Sequence, residues 1–178
     1  MDTKQVVKPA VVLLLISAVA AACLGAVSEI TKEPIAQQAE KTLNESMKAV
    51  MPDASSFEDL GIEPTGTITA AYQADNGGFV LTTEPGGFGG AVKTMVGIDA
   101  EGVVTGLRVT GHAETPGLGA KATDPSFYEQ FVGKSGTVTV TKDGGEIVPI
   151  TSATITSRAV CDGAQEALDW VAANGGAN

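Results

Sequence analysis

The chain is poor in groups that carry out redox or metal chemistry by themselves. Its 178 residues include one histidine, His112, and two cysteines, Cys23 and Cys161. One imidazole rules out a histidine-rich metal centre. With no Cys-x-x-Cys pair, an iron–sulfur cluster or a structural zinc site would lack its ligands. Cys23 falls in an apolar run and Cys161 in an expected helix far downstream, so no disulfide between them is expected. Basic residues are scarce too: 11 Lys plus Arg against 21 Asp plus Glu leave a net charge of −10. Such a balance repels nucleic acid and offers no basic patch for anionic lipid. Aromatic residues make up 4% of the chain, so the core must rest on Val, Ile, Leu and Ala. Any redox chemistry would have to come from a bound cofactor.

The apolar residues that are present are unevenly spread. Residues 10–27 carry no charge and are apolar apart from Ser17. At 1.5 Å per residue they would span about 27 Å, close to the ~30 Å hydrocarbon core of a bilayer. A retained transmembrane helix is expected. A cleaved signal peptide, and a lipoprotein signal at residues 19–23, are the other readings. Lys4 and Lys8 precede the run, whereas Glu29, Lys32 and Glu33 follow it. This asymmetry places residues 1–9 in the cytoplasm and the bulk of the chain outside. Residues 28–52 read as a stalk. Ile35, Ala39, Leu43, Met47 and Val50 form one helical stripe that packs on a globular domain, with Pro34 at a break or a first turn.

Residues 53–178 read as an α+β domain with an antiparallel sheet and flanking helices. Strands are expected at residues 67–72, 79–83, 91–98 and 103–110, with a hairpin turn around Asn76-Gly77. Asp124-Pro125 should open a short helix that buries Phe127, Phe131 and Val132. A strand is expected at residues 136–141. An amphipathic helix over residues 155–173 should bury Val160, Ala164, Ala167, Leu168 and Val171, and stop at residues 174–176. No strand–helix alternation and no Gly-x-Gly-x-x-Gly occurs, which excludes a Rossmann unit.

Two stretches hold the candidate chemistry. Thr151, Ser152, Thr154, Thr156 and Ser157 supply five hydroxyls within seven residues, and Arg158 follows. A helix start carries unpaired N–H groups and the positive end of the helix dipole, which together suit a phosphate. The same residues also suit an ordinary N-cap. The second stretch is His112-Ala113-Glu114-Thr115-Pro116-Gly117-Leu118-Gly119. Its proline and glycines exclude a helix interior or a central strand, so it is a shaped loop. His112 and Glu114 are possible acid–base groups there, or parts of a solvated turn. Residues 85–90 (Pro-Gly-Gly-Phe-Gly-Gly) form a run in which backbone can approach a ligand, or a flexible loop.

The anchor, the Glu-Thr-Pro-Gly-Leu-Gly run and the stretch from Thr151 to Val160 together resemble one family. It comprises the flavin-binding subunits of membrane-bound, ion-pumping electron-transfer complexes. The chain looks most like the G subunits of Rnf ferredoxin:NAD⁺ oxidoreductases, whose relative is the C subunit of the sodium-pumping NADH:quinone reductase. The resemblance implies FMN joined covalently through its phosphate to a threonine by a dedicated flavin transferase that uses FAD. The attachment motif runs Asp, two variable residues, Ser or Thr, Gly, Ala, Thr. Thr151, Ala153 and Thr154 match it, with Thr154 as the acceptor. Ser152 stands where Gly is usual and Val148 where Asp is usual, so a Cβ at 152 is expected to restrict the bend that presents Thr154.

The resemblance further implies that Thr151, Ser152, Ala153, Thr154, Ile155, Thr156 and Ser157 hold the phosphate side. Glu114, Thr115, Pro116, Gly117, Leu118 and Gly119 would flank the ring, with residues 86–90 lining its other side. None of these needs an acid–base role, and no metal is implied. The implied partners are the other membrane and peripheral subunits of an Rnf-type complex, the transferase and membrane lipid, with no nucleic acid. The role would be electron relay coupled to Na⁺ or H⁺ movement. A cofactor-free extracytoplasmic binding or scaffold module, and a stand-alone extracytoplasmic flavoprotein reductase, are the competing readings.

Overall fold

A computed structural model describes residues 3–175. Met1 and Asp2 of the expected cytoplasmic tail, and Gly176 of the expected helix stop, lie outside the described residues. The chain divides into two units, Met1–Leu43 and Asn44–Asn178. Helix α1 runs Thr3–Val50. Within it Leu13, Leu14, Ile16 and Leu24 are all more than half exposed, and among the described residues α1 alone is long and apolar enough to cross a membrane. A helix apolar all round needs an apolar surrounding.

Pro34, expected to break or begin a helix, lies inside α1. Proline removes its own N–H and disfavours the interior by about 3 kcal/mol, an amount that good helix formers on both sides can offset. The apolar stripe is buried only at its end. Ile35 and Ala39 are exposed, whereas Met47 and Val50, in the second unit, are fully covered.

The second unit holds a five-stranded antiparallel meander in sequence order: β1 (Phe57–Asp59), β2 (Ile68–Ala74), β3 (Phe79–Thr83), β4 (Lys93–Ile98) and β5 (Val104–Gly111). All of β3, and all of β4 except Lys93, is buried. Both faces are therefore covered, and the apolar runs lose the alternation of a half-exposed strand. Helix α3 (Thr154–Asn174) packs on β2–β4, burying Val160, Ala164, Ala167, Leu168 and Val171 as its periodicity requires.

Val50, the last residue of α1, meets Gly97 and Gly106, which face each other across β4 and β5. A Cβ on either glycine would lie 2.5 or 2.6 Å from the Val50 carbonyl oxygen. The Thr105 hydroxyl donates to that oxygen at 2.7 Å. Two facing glycines thus form the seat on which the helix end lands.

Two further local expectations fail. The alternating residues 136–141 make no strand. Val138, Val140 and Ile147 are buried, but Val140 and Ile147 form only an isolated bridge, and Thr141–Asp143 is a 3-10 turn. The backbone finds other partners: Thr141 N–H donates to Ile147 O at 2.8 Å and Val138 N–H to the Gln165 side chain at 2.7 Å. Alternation reports one-sided burial, which an irregular segment can also provide. The short helix α2 (Pro125–Tyr128) buries Phe127, and the following 3-10 turn (Glu129–Phe131) buries Phe131 but turns Val132 out to 51% exposure. Val132 is the C-cap of that turn and already extended, at φ −62° and ψ 132°, so it leaves the face that Phe127 and Phe131 share. Asp124 occupies the N-cap position without a side-chain capping bond. Strand β1 had no sequence signal, since three residues show no period.

Candidate functional site

Helix α3 starts at Thr154, and its N-cap is Ala153, which has no side chain able to cap. None of the five neighbouring hydroxyls fills that role, so the ordinary-cap reading does not describe this helix start. Ser157 N–H donates to Ala153 O at 3.0 Å. The N–H groups of Thr154, Ile155 and Thr156 precede it and have no carbonyl one turn back. Ser157 is fully buried: its hydroxyl accepts from Ile150 N–H and donates to Ala153 O, both at 2.9 Å. Ser152 has φ +64°, the one non-glycine residue with positive φ among the described residues. Its Cβ does not prevent the bend expected of glycine. The bend is made, at the roughly 1–2 kcal/mol that a left-handed conformation costs an L-residue.

Across from this helix start lies the Thr115–Leu118 turn. Leu118 N–H donates to Thr115 O at 3.1 Å and Gly117 has φ +77°. This matches a type II turn with proline at its second position and glycine at its third. Before the turn, Glu114 is buried at 6% exposure. One carboxylate oxygen accepts from Gly89 N–H at 2.9 Å, and the other accepts from the Thr156 hydroxyl at 2.7 Å. The Glu114 N–H donates to His112 Nδ1 at 3.2 Å. Glu114 thereby ties the glycine-rich loop, its own loop and the first turn of α3 into one junction. A Cβ at Gly87 or Gly119 would lie 2.3 or 2.4 Å from a Glu114 carboxylate oxygen, so glycine at both positions provides room for the junction.

Between the two walls is a cavity of about 350 Å³, within the range of about 300–1,000 Å³ typical of small-molecule sites. Ser152, Ala153, Thr154, Ile155 and Thr156 line one side; Phe88, Glu114, Thr115, Leu118 and Gly119 line the other. Phe88, Leu118 and Ile155 form an apolar rim, exposed by 72%, 42% and 50%. Of the residues expected to hold the phosphate side or flank the ring, Thr151, Ser157, Pro116 and Gly117 do not line it, and of residues 86–90 only Phe88 does. Thr151 borders a separate groove with Gln130, Val148 and Pro149. Ser157 is interior, and Pro116 and Gly117 shape the turn. His112 is exposed and also lies off the cavity.

The charges are arranged differently from what the sequence suggests. Arg158, the cation that follows the hydroxyl run in sequence, forms a two-pronged pair with Asp143, Nε and Nη2 each 2.7 Å from a carboxylate oxygen. The guanidinium holds the Asp143 carboxyl below its ordinary range. The cation that reaches Thr154 is Lys142, whose Nζ donates to Thr154 Oγ1 at 3.0 Å. In sequence, Lys142 is only part of a Lys-Asp-Gly-Gly turn, and no local pattern marks it. Cys161 contributes nothing to the site: burial pushes its thiol up to about 12, which keeps it inert.

Two known families match the chain. The family described as FMN-binding domain matches residues 87–169, and that described as RnfG N-terminal region matches residues 1–50. Over 186 aligned residues the chain is 34% identical to the G subunit of the ion-translocating oxidoreductase complex of Methanosarcina acetivorans, covering 98% of this chain and 99% of the relative. It is 36% identical to the G subunit of the Na(+)-translocating ferredoxin:NAD(+) oxidoreductase complex of Acetobacterium woodii, covering 91% and 89%. It is 35% identical to the proton-translocating counterpart of Clostridium ljungdahlii, covering 83% and 82%. Among solved structures, the C subunit of the Na(+)-translocating NADH-quinone reductase of Parabacteroides distasonis shares the fold, with a TM-score of 0.55, 19% identity and coverage of 80% and 84%.

The second unit is therefore an FMN-binding domain carried behind an apolar N-terminal helix. The chain belongs to the family of G subunits of Rnf-type ion-translocating oxidoreductase complexes.

Proposed function

We propose that this chain carries FMN bonded through its phosphate to Thr154 and relays electrons in an Rnf-type ferredoxin:NAD⁺ oxidoreductase complex that moves Na⁺ or H⁺. The observation that carries the reading is the cleft itself. Thr154 sits half-buried at its lip, on a helix start whose N–H groups lack helical partners, facing an apolar rim that wants a cover.

The residues fit the group. Thr154 would anchor the phosphate among the N–H groups of the first turn of α3. Phe88, Leu118 and Ile155 would shield the ring from water. Glu114 would keep the two walls at a fixed separation, so that the ring meets the same surroundings in each redox state. FMN when bound supplies one- and two-electron transfer, which no side chain of this composition offers. Pro116 and Gly117 act through the turn that presents Leu118, and Thr151 and Ser157 through the backbone that leads to Thr154.

The same reading divides the chain into a cytoplasmic tail (residues 1–9), a membrane span (10–27), a stalk (28–52) and an extracytoplasmic flavin domain (53–178). The lysines before the span support this orientation. The partners are the other subunits of the complex, a flavin transferase during maturation, and membrane lipid.

In-gel flavin fluorescence of the denatured full-length chain, matured with FAD and a flavin transferase, is the test. The reading requires fluorescence on the wild-type chain and none on Thr154→Ala. Fluorescence that survives Thr154→Ala places the attachment elsewhere. A chain free of flavin after purification from its native membrane would favour the cofactor-free scaffold.

A further inference from the structure

Lys142 reaches Thr154 by a route that involves no other ligand of the site. Thr154 and Arg158 lie one helical turn apart on α3, on the same face. Lys142 and Asp143 are adjacent in the 3-10 turn Thr141–Asp143, which closes at Gly144 with φ +87°. The two pairs match. Asp143 takes both prongs of Arg158, and the neighbouring Lys142 then falls against Thr154 Oγ1 at 3.0 Å. The Asp143–Arg158 pair thus acts as a strut that fixes the turn over the helix start. Among the described residues Lys142 has no carboxylate within ion-pair distance, so its ammonium is not neutralised by a salt bridge.

The other charged groups at this end of α3 are Asp143 and Arg158, which pair with each other, and Asp162, one turn beyond Arg158. The Lys142 charge also reaches the adjacent Asp143, whose carboxyl it helps Arg158 to lower. An ammonium outside any salt bridge, on a hydroxyl above a helix start with free N–H groups, suits an anion.

We propose that Lys142 is the counter-ion of a phosphodiester on Thr154, held in place by the Asp143–Arg158 strut. The proposal rests on the reading of Thr154 as the flavin acceptor and names a residue outside the attachment motif as part of the same site. In the loading reaction the Thr154 oxygen loses its proton to solvent and bonds to the flavin-side phosphorus of FAD. The bond from that phosphorus to the bridging oxygen breaks, and AMP leaves with that oxygen. The product carries one negative charge beside Thr154 Oγ1, within reach of the Lys142 ammonium. Lys142 is a positioning residue and does not itself exchange a proton in this step.

The test uses the full-length chain in detergent with FAD and a flavin transferase, and compares wild type with Lys142→Ala, Lys142→Glu and Lys142→Arg. Lys142 is exposed, so these variants should fold. The initial rate of covalent loading should fall roughly three- to tenfold in Lys142→Ala, further in Lys142→Glu, and recover most of the way in Lys142→Arg. A second readout separates a phosphate contact from a contact with the transferase. A phosphodiester keeps one negative charge across the neutral range, so a change in its ³¹P resonance on replacing Lys142 reports the loss of a neighbouring cation. At neutral pH the resonance of loaded Lys142→Ala should differ from that of loaded wild type, and that of loaded Lys142→Arg should lie closer to wild type.

Equal loading in all variants, or a ³¹P resonance unchanged in loaded Lys142→Ala, would overturn the role of Lys142 and leave the Thr154 reading intact. Slower loading with an unchanged ³¹P resonance also overturns it, because Lys142 then serves the transferase alone. A wild-type chain that takes up no flavin under these conditions overturns both.

Discussion

The two polar clusters that meet at the start of α3 are built on opposite principles. The Glu114 junction, in the cleft, is dry: a buried carboxylate bridges Gly89 and Thr156, and glycines 87 and 119 pack against it with no room for a Cβ. The Lys142 cluster, beside the cleft, is wet: Lys142, Asp143 and Arg158 are all exposed and interact through charge. A buried polar junction must be complete, because an unpaired member is costly where water cannot reach it. An exposed ion pair contributes little to stability and is screened by salt. The dry junction therefore sets the shape of the cleft, and the wet cluster sets the charge beside Thr154. Damage to the first should appear as unfolding, and damage to the second as altered handling of an anion.

The largest effect should come from Glu114→Ala, which strands Gly89 N–H and the Thr156 hydroxyl and opens a hole between three segments. A loss of about 2–4 kcal/mol is expected, read by urea unfolding followed through the fluorescence of the single tryptophan, Trp170. A variant as stable as wild type would show that the walls do not depend on this junction. Next comes Gly119→Ala, whose Cβ would meet the Glu114 carboxylate at 2.4 Å and the Thr156 hydroxyl at 2.7 Å. About 1–3 kcal/mol of strain should follow, with a matching loss in the same unfolding measurement.

Ser152→Gly should move the other way, raising stability by about 0.5–1 kcal/mol. It relieves a left-handed residue, less the extra chain entropy that glycine loses on folding. Covalent flavin loading should stay equal or rise, and a sharp fall would mean that the Ser152 side chain itself is needed. The smallest effect belongs to the strut. The Arg158 guanidinium depresses the Asp143 carboxyl, so the pair's contribution is complete above the unfolded carboxylate value of about 3.9. It fades as pH falls through the lower folded value. Carbon-13 NMR of the Asp143 carboxyl should place its titration below that of an ordinary aspartate, and Arg158→Gln should move it back up. No such shift would mean that the pair does not persist in solution.

How much of this was legible in the sequence depended on the distance over which each feature is encoded. The apolar residues 10–27, the buried face of α3 and the Thr115–Leu118 turn each depend on neighbours within one or two turns of chain. Thr154 was singled out through a motif seven residues long. The network around these elements spans longer separations. Glu114 meets Gly89 over 25 residues and Thr156 over 42. Lys142 meets Thr154 over 12, and Asp143 meets Arg158 over 15. Nothing in residues 136–141 distinguished a paired strand from a buried loop, because alternation records which side is covered and not which backbone groups are paired.

The amino-acid sequence by itself determined that the chain has an apolar helix, an antiparallel domain and a hydroxyl-rich helix start, since each is a repeat or turn chosen by local sterics and hydrophobicity. Only the tertiary structure decided which of those hydroxyls is presented and which are interior. It also decided that Arg158 braces the site while Lys142 faces Thr154. Hydroxyls and cations are interchangeable in a local pattern. They become distinct only when packing buries some, pairs others, and leaves one ammonium beside one threonine.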